Sequence, residues 1–195
     1  MKRILIVATG GTIAGVGEVG KSASYQAGEI NIDEIIESIP ALKHLAHLSA
    51  IQLFNVDSNE MDEAKLIKLA NELNVLLARD DVDGIVVTHG TDTLDETAYF
   101  LNLTLKTYKP VILTGAMRPA TATSADGPMN LYQAVALACN DQALGHGVMA
   151  VFSDTIYSGR DIQKVNNFKT DAFDKKDFGC LGYMRDDQAY FFART

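Results

Sequence analysis

Residues 84–93 read Gly-Ile-Val-Val-Thr-His-Gly-Thr-Asp-Thr, an apolar run that passes directly into a polar, glycine-containing turn. Consecutive β-branched residues without a polar alternation are typical of a strand that is covered on both faces of its sheet. After the turn, Leu94, Ala98, Leu101 and Leu105 recur at helical spacing. A buried strand, a polar turn and a helix in this order form the repeating unit of a parallel α/β sheet.

The same unit recurs along the chain. Four further runs that are nearly all apolar are predicted to be core strands covered on both faces: Ile4–Ala8, Ile51–Phe54, Pro110–Leu113 and Val148–Phe152. Helical patterns lie between them at Leu66–Leu77 and after Asp126, and a shorter helix is predicted to begin at Asn31. We therefore predict a doubly wound α/β fold of the Rossmann/flavodoxin type, with a mainly parallel sheet of about five core strands and helices on both faces.

The end of the chain follows a different pattern. Residues 154–179 are polar and mixed, and they predict irregular structure. Tyr183–Arg185 and Ala189–Phe192, separated by Asp186-Asp187, predict a closing β-hairpin. With 195 residues in all, the sequence predicts a single domain over residues 1–195.

Charge excludes one broad class of partner. The chain has 17 Lys and Arg against 25 Asp and Glu, a formal net charge of −8. A surface of this sign repels phosphates, so we expect no nucleic-acid partner and favour a small-molecule substrate. Cys139 and Cys180 stand in unrelated contexts with no metal-ligand spacing. His44 and His47 are three residues apart and could bind a metal, but a solvated surface pair is the favoured interpretation, so no metal or cofactor is predicted.

The N-terminal residues imitate a secretory leader. Met1-Lys2-Arg3 precedes the apolar run Ile4–Ala8, but that run is shorter than the apolar region of a signal peptide. No apolar stretch approaches the roughly 20 residues that span a bilayer, so no membrane partner is expected. The sequence as given predicts a cytoplasmic protein, with a periplasmic location as the alternative if a signal was removed.

Polar side chains follow four of the predicted strands at the point where each ends. These turns are Thr9–Thr12, Asp57–Glu60, Thr88–Thr93 and Thr114–Pro119. Ligands of open parallel sheets bind outside the carboxyl ends of the strands, so we expect the turns to form one site. The hydroxyls there suit nucleophilic acyl transfer, in which a threonine attacks a carbonyl once a base has taken its proton. A lysine near Asp92 is a suitable base, but spacing alone does not identify it.

A nucleotide-binding alternative rests on Gly15–Ser22, which matches the P-loop pattern and, through its glycines, the dinucleotide fingerprint. Both motifs need a strand directly before them and a helix directly after. The first predicted strand ends near Ala8, and residues 23–28 have no helical apolar face. A glycine-rich mobile loop is therefore the favoured interpretation.

His89 is expected to shape its turn by hydrogen bonding.

Four blocks of this sequence closely resemble the signature blocks of the bacterial-type L-asparaginases. They are Ala8–Gly15, Thr88–Thr93, Thr114–Pro119 and Ser124–Leu131, in the family's order. The last two have the form typical of the type II branch. The resemblance implies hydrolysis of the side-chain amide of L-asparagine to L-aspartate and ammonia, without metal or cofactor.

Catalytic roles follow from the resemblance, position by position. Thr12 would be the nucleophile that forms an acyl-enzyme, and Tyr25 in the flexible loop would close over the substrate. Thr91 and Asp92 would act with a lysine, and the stretch around Gly159–Lys164 resembles the family's lysine segment, which nominates Lys164.

Substrate-binding roles are implied in the same way. Ser58 and Asn59 would hold the α-carboxylate and α-amino group, Asp92 would also pair the amino group, and the Ala116 carbonyl would line the pocket. Asn59 stands where type II enzymes usually have Gln, and Asp57 precedes Ser58 as in type I. After Lys164 the chain also departs from the family's usual polar run.

The resemblance covers the family's N-terminal domain. Family members have a smaller C-terminal domain beyond it and are homotetramers in which a neighbouring subunit completes each active site, so a homo-oligomer is expected. Two hypotheses therefore stand beside each other: a catalytic asparaginase domain, and a non-catalytic asparagine- or aspartate-binding or assembly domain. Nucleotide binding is the third.

Overall fold

The computed structural model describes residues 1–21, 25–175 and 179–194. Within these ranges, the main sheet contains eight strands. In chain order they are β1 (Arg3–Gly10), β4 (His47–Val56), β5 (Gly84–Thr88), β6 (Val111–Thr114), β7 (Val148–Phe152), β8 (Thr155–Ser158), β11 (Gly182–Arg185) and β12 (Gln188–Phe191). Two short antiparallel ribbons lie outside the main sheet: β2 (Val16–Gly17) with β3 (Tyr25–Gln26), and β9 (Ile162–Lys164) with β10 (Phe173–Lys175).

The main sheet has the order β12-β11-β8-β7-β6-β5-β1-β4. The five strands β4, β1, β5, β6 and β7 pair in parallel, whereas β8, β11 and β12 continue the sheet antiparallel. This parallel core has the flavodoxin-like strand order 2-1-3-4-5, so the predicted class and number of core strands are confirmed. The C-terminal hairpin is present as β11 and β12 and extends the sheet.

Four α-helices in the described ranges cover both faces: α1 (Ile32–Glu37), α2 (Glu63–Leu77), α3 (Leu94–Thr104) and α4 (Gly127–Cys139). Side chains of β1 alternate between the faces, as the pleat requires. Ile4 and Ile6 join a core cluster with α1 and α4, whereas Leu5 and Val7 join a second cluster with α2 and α3. A sheet covered in this way explains why the central strands are apolar at every position.

The predictions for α1 and α4 are confirmed at residue level. The Asn31 side chain accepts a hydrogen bond from the Asp33 N–H and caps α1, while α4 begins at Gly127 with Pro128 in its first turn. A proline is tolerated there because its missing N–H would have no partner in the helix.

Two features of the structure differ from prediction. β4 is an edge strand with Ile51 37% exposed, so it is not covered on both faces. The segment predicted to be irregular contains β8, β9 and β10. β8 follows β7 through a tight turn in which Ser153 and Asp154 both have positive φ. Neither residue carries the glycine signal that marks such turns in sequence.

Candidate active site

The predicted site residues lie at the switch point of the sheet, between β1 and β5, where the direction in which successive strands are added reverses. The chain leaves β1 toward β4 on one side, and it leaves β5 toward β6 on the other. The crevice between the carboxyl ends of two such strands is the usual ligand site of a doubly wound sheet. Thr12 opens a 3₁₀ turn after β1, and Thr91 opens another after β5.

Glycines bring the two turns into direct contact. Gly11 has a φ of +82°, and a Cβ placed on it would lie 2.4 Å from the Cα and N atoms of Gly90. A Cβ on Gly90 would in turn lie 2.6 Å from the Cβ of Ser58. No side chain larger than hydrogen fits at either position, so the glycines set the close spacing of the three turns that carry Thr12, Ser58 and Thr91.

Thr12 and Tyr25 form the first pair of functional groups. The Oγ1 atom of Thr12 lies 2.7 Å from the Oη atom of Tyr25. Thr12 is buried, whereas Tyr25 belongs to the β2–β3 ribbon and is 39% exposed. The exposed ribbon therefore brings its tyrosine hydroxyl into contact with the buried threonine.

Thr91, Asp92 and Lys164 form the second group. The Lys164 Nζ atom donates to the Oγ1 atom of Thr91 at 2.9 Å and forms an ion pair with the Asp92 carboxylate. The lysine side chain is only 11% exposed. Resemblance alone nominated Lys164 from the sequence, because 72 positions separate it from Asp92 and only the fold brings the two together.

Ser58 and Asn59 lie beside this second group. Ser58 is buried in the 3₁₀ turn Ser58–Glu60, which the Asp57 carboxylate caps by accepting from the Asn59 N–H. The Asn59 side-chain amide donates to Asp57 at 3.0 Å and to Asp92 at 3.4 Å. Asn59 therefore links two carboxylates at the edge of the site.

Ala116 is fully buried, and a Cβ placed on Gly127 would lie 3.3 Å from the Ala116 Cβ. Its neighbour Met117 lines the site instead. The Asp126 carboxylate accepts from the backbone N–H groups of Met117 and Arg118, which fixes this turn to the start of α4.

A cavity of about 490 Å³ is lined by most of the predicted site residues, but not by Asn59 or Ala116. Thr12, Tyr25, Ser58, Thr91, Asp92 and Lys164 line it, together with Gly11, Asp57, Gly90, Met117 and Asn167, which were not among the predicted site residues. Gly11, Asp57, Gly90 and Met117 lie within the four turns that the sequence predicts to form the site. Asn167 lies in the segment after Lys164 that departs from the family pattern, and no motif marked it. The charged side chains of the lining are Asp57, Asp92 and Lys164, which favour a ligand bearing a positive group.

The buried His89 side chain links the turn that carries Thr91 to α3. It is completely buried; its Nδ1 lies 2.7 Å from the Gly90 carbonyl oxygen, and its Nε2 lies 3.0 Å from the Thr97 hydroxyl. Burial lowers the pKa of His89, so the ring is neutral, donates from Nδ1 and accepts at Nε2. It holds the turn that carries Thr91.

A second cavity, of about 580 Å³, is lined by residues such as Tyr108, His146 and Phe192. None of the predicted site residues lines it. In the described parts of the chain, no group of three or more His, Cys, Asp and Glu side chains could hold a metal ion, and no helix is long and apolar enough to cross a membrane.

The P-loop match has a different structure from the one that its motif requires. Val16–Gly17 pairs with Tyr25–Gln26 as an antiparallel ribbon, and the first described α-helix after it begins at Ile32. Ser22 itself lies outside the described residues. Because no helix begins at the motif within the part of the chain that is described, its phosphate cradle would lack a helix N-terminus.

Fold and site together define a doubly wound α/β domain with two threonine hydroxyls at its switch point, one against a tyrosine and one against a lysine. A family model described as "Asparaginase, N-terminal" matches residues 3–195. The chain belongs to the asparaginase family.

Individual relatives agree with this assignment. L-asparaginase 2 of Bacillus subtilis (strain 168) is 50% identical over 188 residues, which are 96% of this chain and 50% of that protein. Glutaminase-asparaginase of Acinetobacter glutaminasificans is 45% identical over 193 residues, covering 98% and 58%. A crystal structure described as a probable cytoplasmic L-asparaginase from Campylobacter jejuni has a TM-score of 0.97 and 47% identity, covering 100% of this chain and 60% of that one. The chain spans about half the length of the curated relatives it matches.

Proposed function

We propose that this chain carries the amidohydrolase site of an L-asparaginase, which converts L-asparagine and water to L-aspartate and ammonia. The observation that carries the proposal is the pair of threonine hydroxyls facing one cavity, with Tyr25 on Thr12 and Lys164 on Thr91. Membership of the asparaginase family supports the same reaction.

In the first step, the Thr12 Oγ1 attacks the side-chain carbonyl carbon of asparagine. Its proton passes to the Tyr25 oxygen, which lies 2.7 Å away, while Tyr25 passes its own hydroxyl proton to the amide nitrogen as a new C–O bond forms. The tetrahedral intermediate then breaks its C–N bond, and the nitrogen, which carries the proton relayed by Tyr25, departs as ammonia. The product of this step is an ester between Thr12 and the aspartyl group.

In the second step, water attacks that ester and restores the Thr12 hydroxyl. Thr91 orients the water and relays its proton to the Thr12 oxygen as the ester C–O bond breaks, while Lys164 donates to the Thr91 hydroxyl oxygen at 2.9 Å within the same cavity. The Asp92 ion pair keeps the Lys164 Nζ directed at Thr91.

The α-amino and α-carboxylate groups orient the substrate. The carboxylate of Asp92 pairs the α-ammonium group, and Asn59, which donates to Asp92, limits the space beside it. Ser58 receives the α-carboxylate. The resemblance implies that the Ala116 carbonyl receives the amide group, although Ala116 is buried and its neighbour Met117 lines the cavity.

The assembly and location of the whole protein are part of the proposal. We propose that the site works within a homo-oligomer, as the resemblance to the family implies. A cytoplasmic location is proposed from the solved relative described as cytoplasmic, with a periplasmic location as the alternative because another relative is described as periplasmic.

The test is ammonia release from L-asparagine by the purified protein, compared with Thr12→Ala and with Thr123→Ala as the matched control. Thr123 is exposed and does not line the cavity. Release in the parent and the control, and a loss of about 10³-fold or more in Thr12→Ala, is expected for a nucleophile. A folded parent that is stabilised by L-aspartate without releasing ammonia would identify a binding domain instead.

A further inference from the structure

The ribbon that carries Lys164 is not part of the main sheet. β9 and β10 contribute three residues each and pair only with one another. A two-stranded ribbon of this size is marginal by itself, so contacts with the rest of the domain decide where it lies. Ile162 and Phe173 bury apolar surface against the body of the domain, but such contacts are not directional.

One backbone N–H group of the ribbon, that of Lys164, forms a hydrogen bond to a side chain outside the ribbon. The Val165 N–H donates to the Ala172 carbonyl at 2.8 Å, toward the β10 side. Amide groups alternate along an antiparallel strand, so the N–H of Lys164 points away from β10. It donates to the Oδ2 atom of Asp95 at 3.0 Å.

Asp95 is the second residue of α3, and its Oδ1 atom accepts the Glu96 N–H at 3.0 Å. The same helix begins directly after the turn that carries Thr91 and Asp92. One helix end therefore places both groups that the Lys164 Nζ contacts and, through Asp95, also holds the backbone of Lys164 itself.

We propose that Asp95 is a positioning residue of the active site, whose carboxylate holds the Lys164 backbone so that the lysine Nζ meets Thr91 and Asp92. This inference rests on the proposed function for its catalytic consequence. Asp95 does not line the cavity, so it acts through Lys164 and not on the substrate. A hydrogen bond to a carboxylate is stronger and more directional than the apolar contacts of the ribbon, and it fixes the position that those contacts leave open.

Three variants test the proposal. Asp95→Ala removes the acceptor, Asp95→Asn removes the charge but keeps an acceptor oxygen, and Glu96→Ala removes the neighbouring exposed carboxylate on the same helical turn. Two measurements are made on each: hydrogen exchange of the Lys164 backbone amide, and kcat and KM for ammonia release from L-asparagine, with the parent and Thr12→Ala in the same assay.

We expect the Lys164 amide of Asp95→Ala to exchange about tenfold faster, the effect of losing one charge-assisted hydrogen bond. Its kcat should fall about 10- to 100-fold, because small misplacements of catalytic groups have effects of this size. KM should stay within about threefold, since the substrate contacts are intact. Asp95→Asn should recover most of both properties, and Glu96→Ala should match the parent.

Unchanged exchange at Lys164 in Asp95→Ala would overturn the proposal whether or not the protein is active. Parental kcat in Asp95→Ala, or an equal loss in Asp95→Asn and Asp95→Ala, would overturn the catalytic part. If the parent shows no Thr12-dependent ammonia release, the proposed function fails and amide exchange alone decides the structural role of Asp95. If Asp95→Ala does not fold, Asp95→Ser replaces it, because serine suits a first helical turn but does not reach the Lys164 amide.

Discussion

The hydroxyl oxygens of Thr12 and Tyr25 lie 2.7 Å apart, although one belongs to a buried turn and the other to an exposed ribbon. The short separation requires Gly15 between them: a Cβ there would lie 2.9 Å from the Tyr25 ring and 2.9 Å from the Thr12 carbonyl oxygen. The ribbon can therefore fold back closely enough for the tyrosine to reach the threonine. This contact joins the glycine-rich segment of the sequence to the proposed nucleophile.

Removing the Tyr25 hydroxyl should slow the proposed reaction without unfolding the protein. Tyr25→Phe keeps the ring and loses the oxygen that takes the Thr12 proton, so kcat should fall about 10²- to 10⁴-fold. Ammonia release is the measurement, and Tyr99→Phe, an exposed tyrosine on α3, is the matched control. A Tyr25→Phe enzyme with parental kcat would show that another group receives the proton.

Lys164 is expected to be needed for turnover more than for folding. Lys164→Met preserves most of the length of the side chain and removes the contacts with Thr91 and Asp92. We expect kcat to fall at least about 10²-fold, as for a group that acts in proton transfer. Lys169→Met removes an exposed lysine from the same β9–β10 connection and should behave as the parent. Equal activities of the two variants would remove Lys164 from the mechanism.

The contact between the Thr12 and Thr91 turns should not tolerate a methyl group. Gly11→Ala puts an alanine at a φ of +82°, which side chains disfavour, and places its Cβ 2.4 Å from Gly90. Gly179→Ala provides a matched comparison, since Gly179 has a φ of +79° and nothing within 4 Å of its Cβ position. Urea unfolding should show a loss of about 1 kcal/mol for Gly179→Ala from backbone strain alone. For Gly11→Ala the loss should be larger by about 1–3 kcal/mol because of overpacking.

A similar loss in both glycine variants would show that the turns can move apart. Ammonia release should also differ between the two variants. Gly11→Ala displaces the proposed nucleophile and should lower the rate, whereas Gly179 does not line the cavity and its substitution should leave the rate unchanged.

Buried His89 should make the stability of the protein depend on pH. Its folded-state pKa is lowered by burial, so the folded protein keeps the ring neutral while the unfolded chain takes up a proton. The unfolded state then binds more protons, and the free energy of unfolding should fall as the pH drops below about 6.5, by up to about 1.4 kcal/mol per pH unit.

Urea unfolding at pH 7.5 and pH 5.5 measures this effect in the parent and in His89→Gln. His146, whose pKa is also lowered by burial, remains in both proteins, so the variant should keep a smaller pH dependence than the parent. Identical pH dependence in the two proteins would contradict a neutral His89 in the folded state.

Much of the fold could be predicted because the central strands are buried on both faces. Strands β1, β5, β6 and β7 stand in the sequence as uninterrupted apolar runs, and short runs of this kind between polar turns are typical of buried parallel strands. The edge strand β4 has a mixed pattern of exposure, so the apolar run Ile51–Phe54 marks only part of its length. No sequence signal marks the start of β8. The turn before it has positive φ at Ser153 and Asp154, and neither is the glycine by which such a turn is usually predicted.

The sequence by itself determined the fold class and the turns at the ends of the parallel strands, since local patterns specify buried strands, helix starts and glycine turns. Only the tertiary structure decided which groups meet. Tyr25 reaches Thr12 across a turn, and Lys164 reaches Thr91 from a ribbon 73 positions away. The Asp95 contact with the Lys164 backbone has no local signal at all. The spacing of residues along the chain does not specify these contacts between side chains. They depend on how the ribbons pack against the sheet and helices through many weak interactions at once.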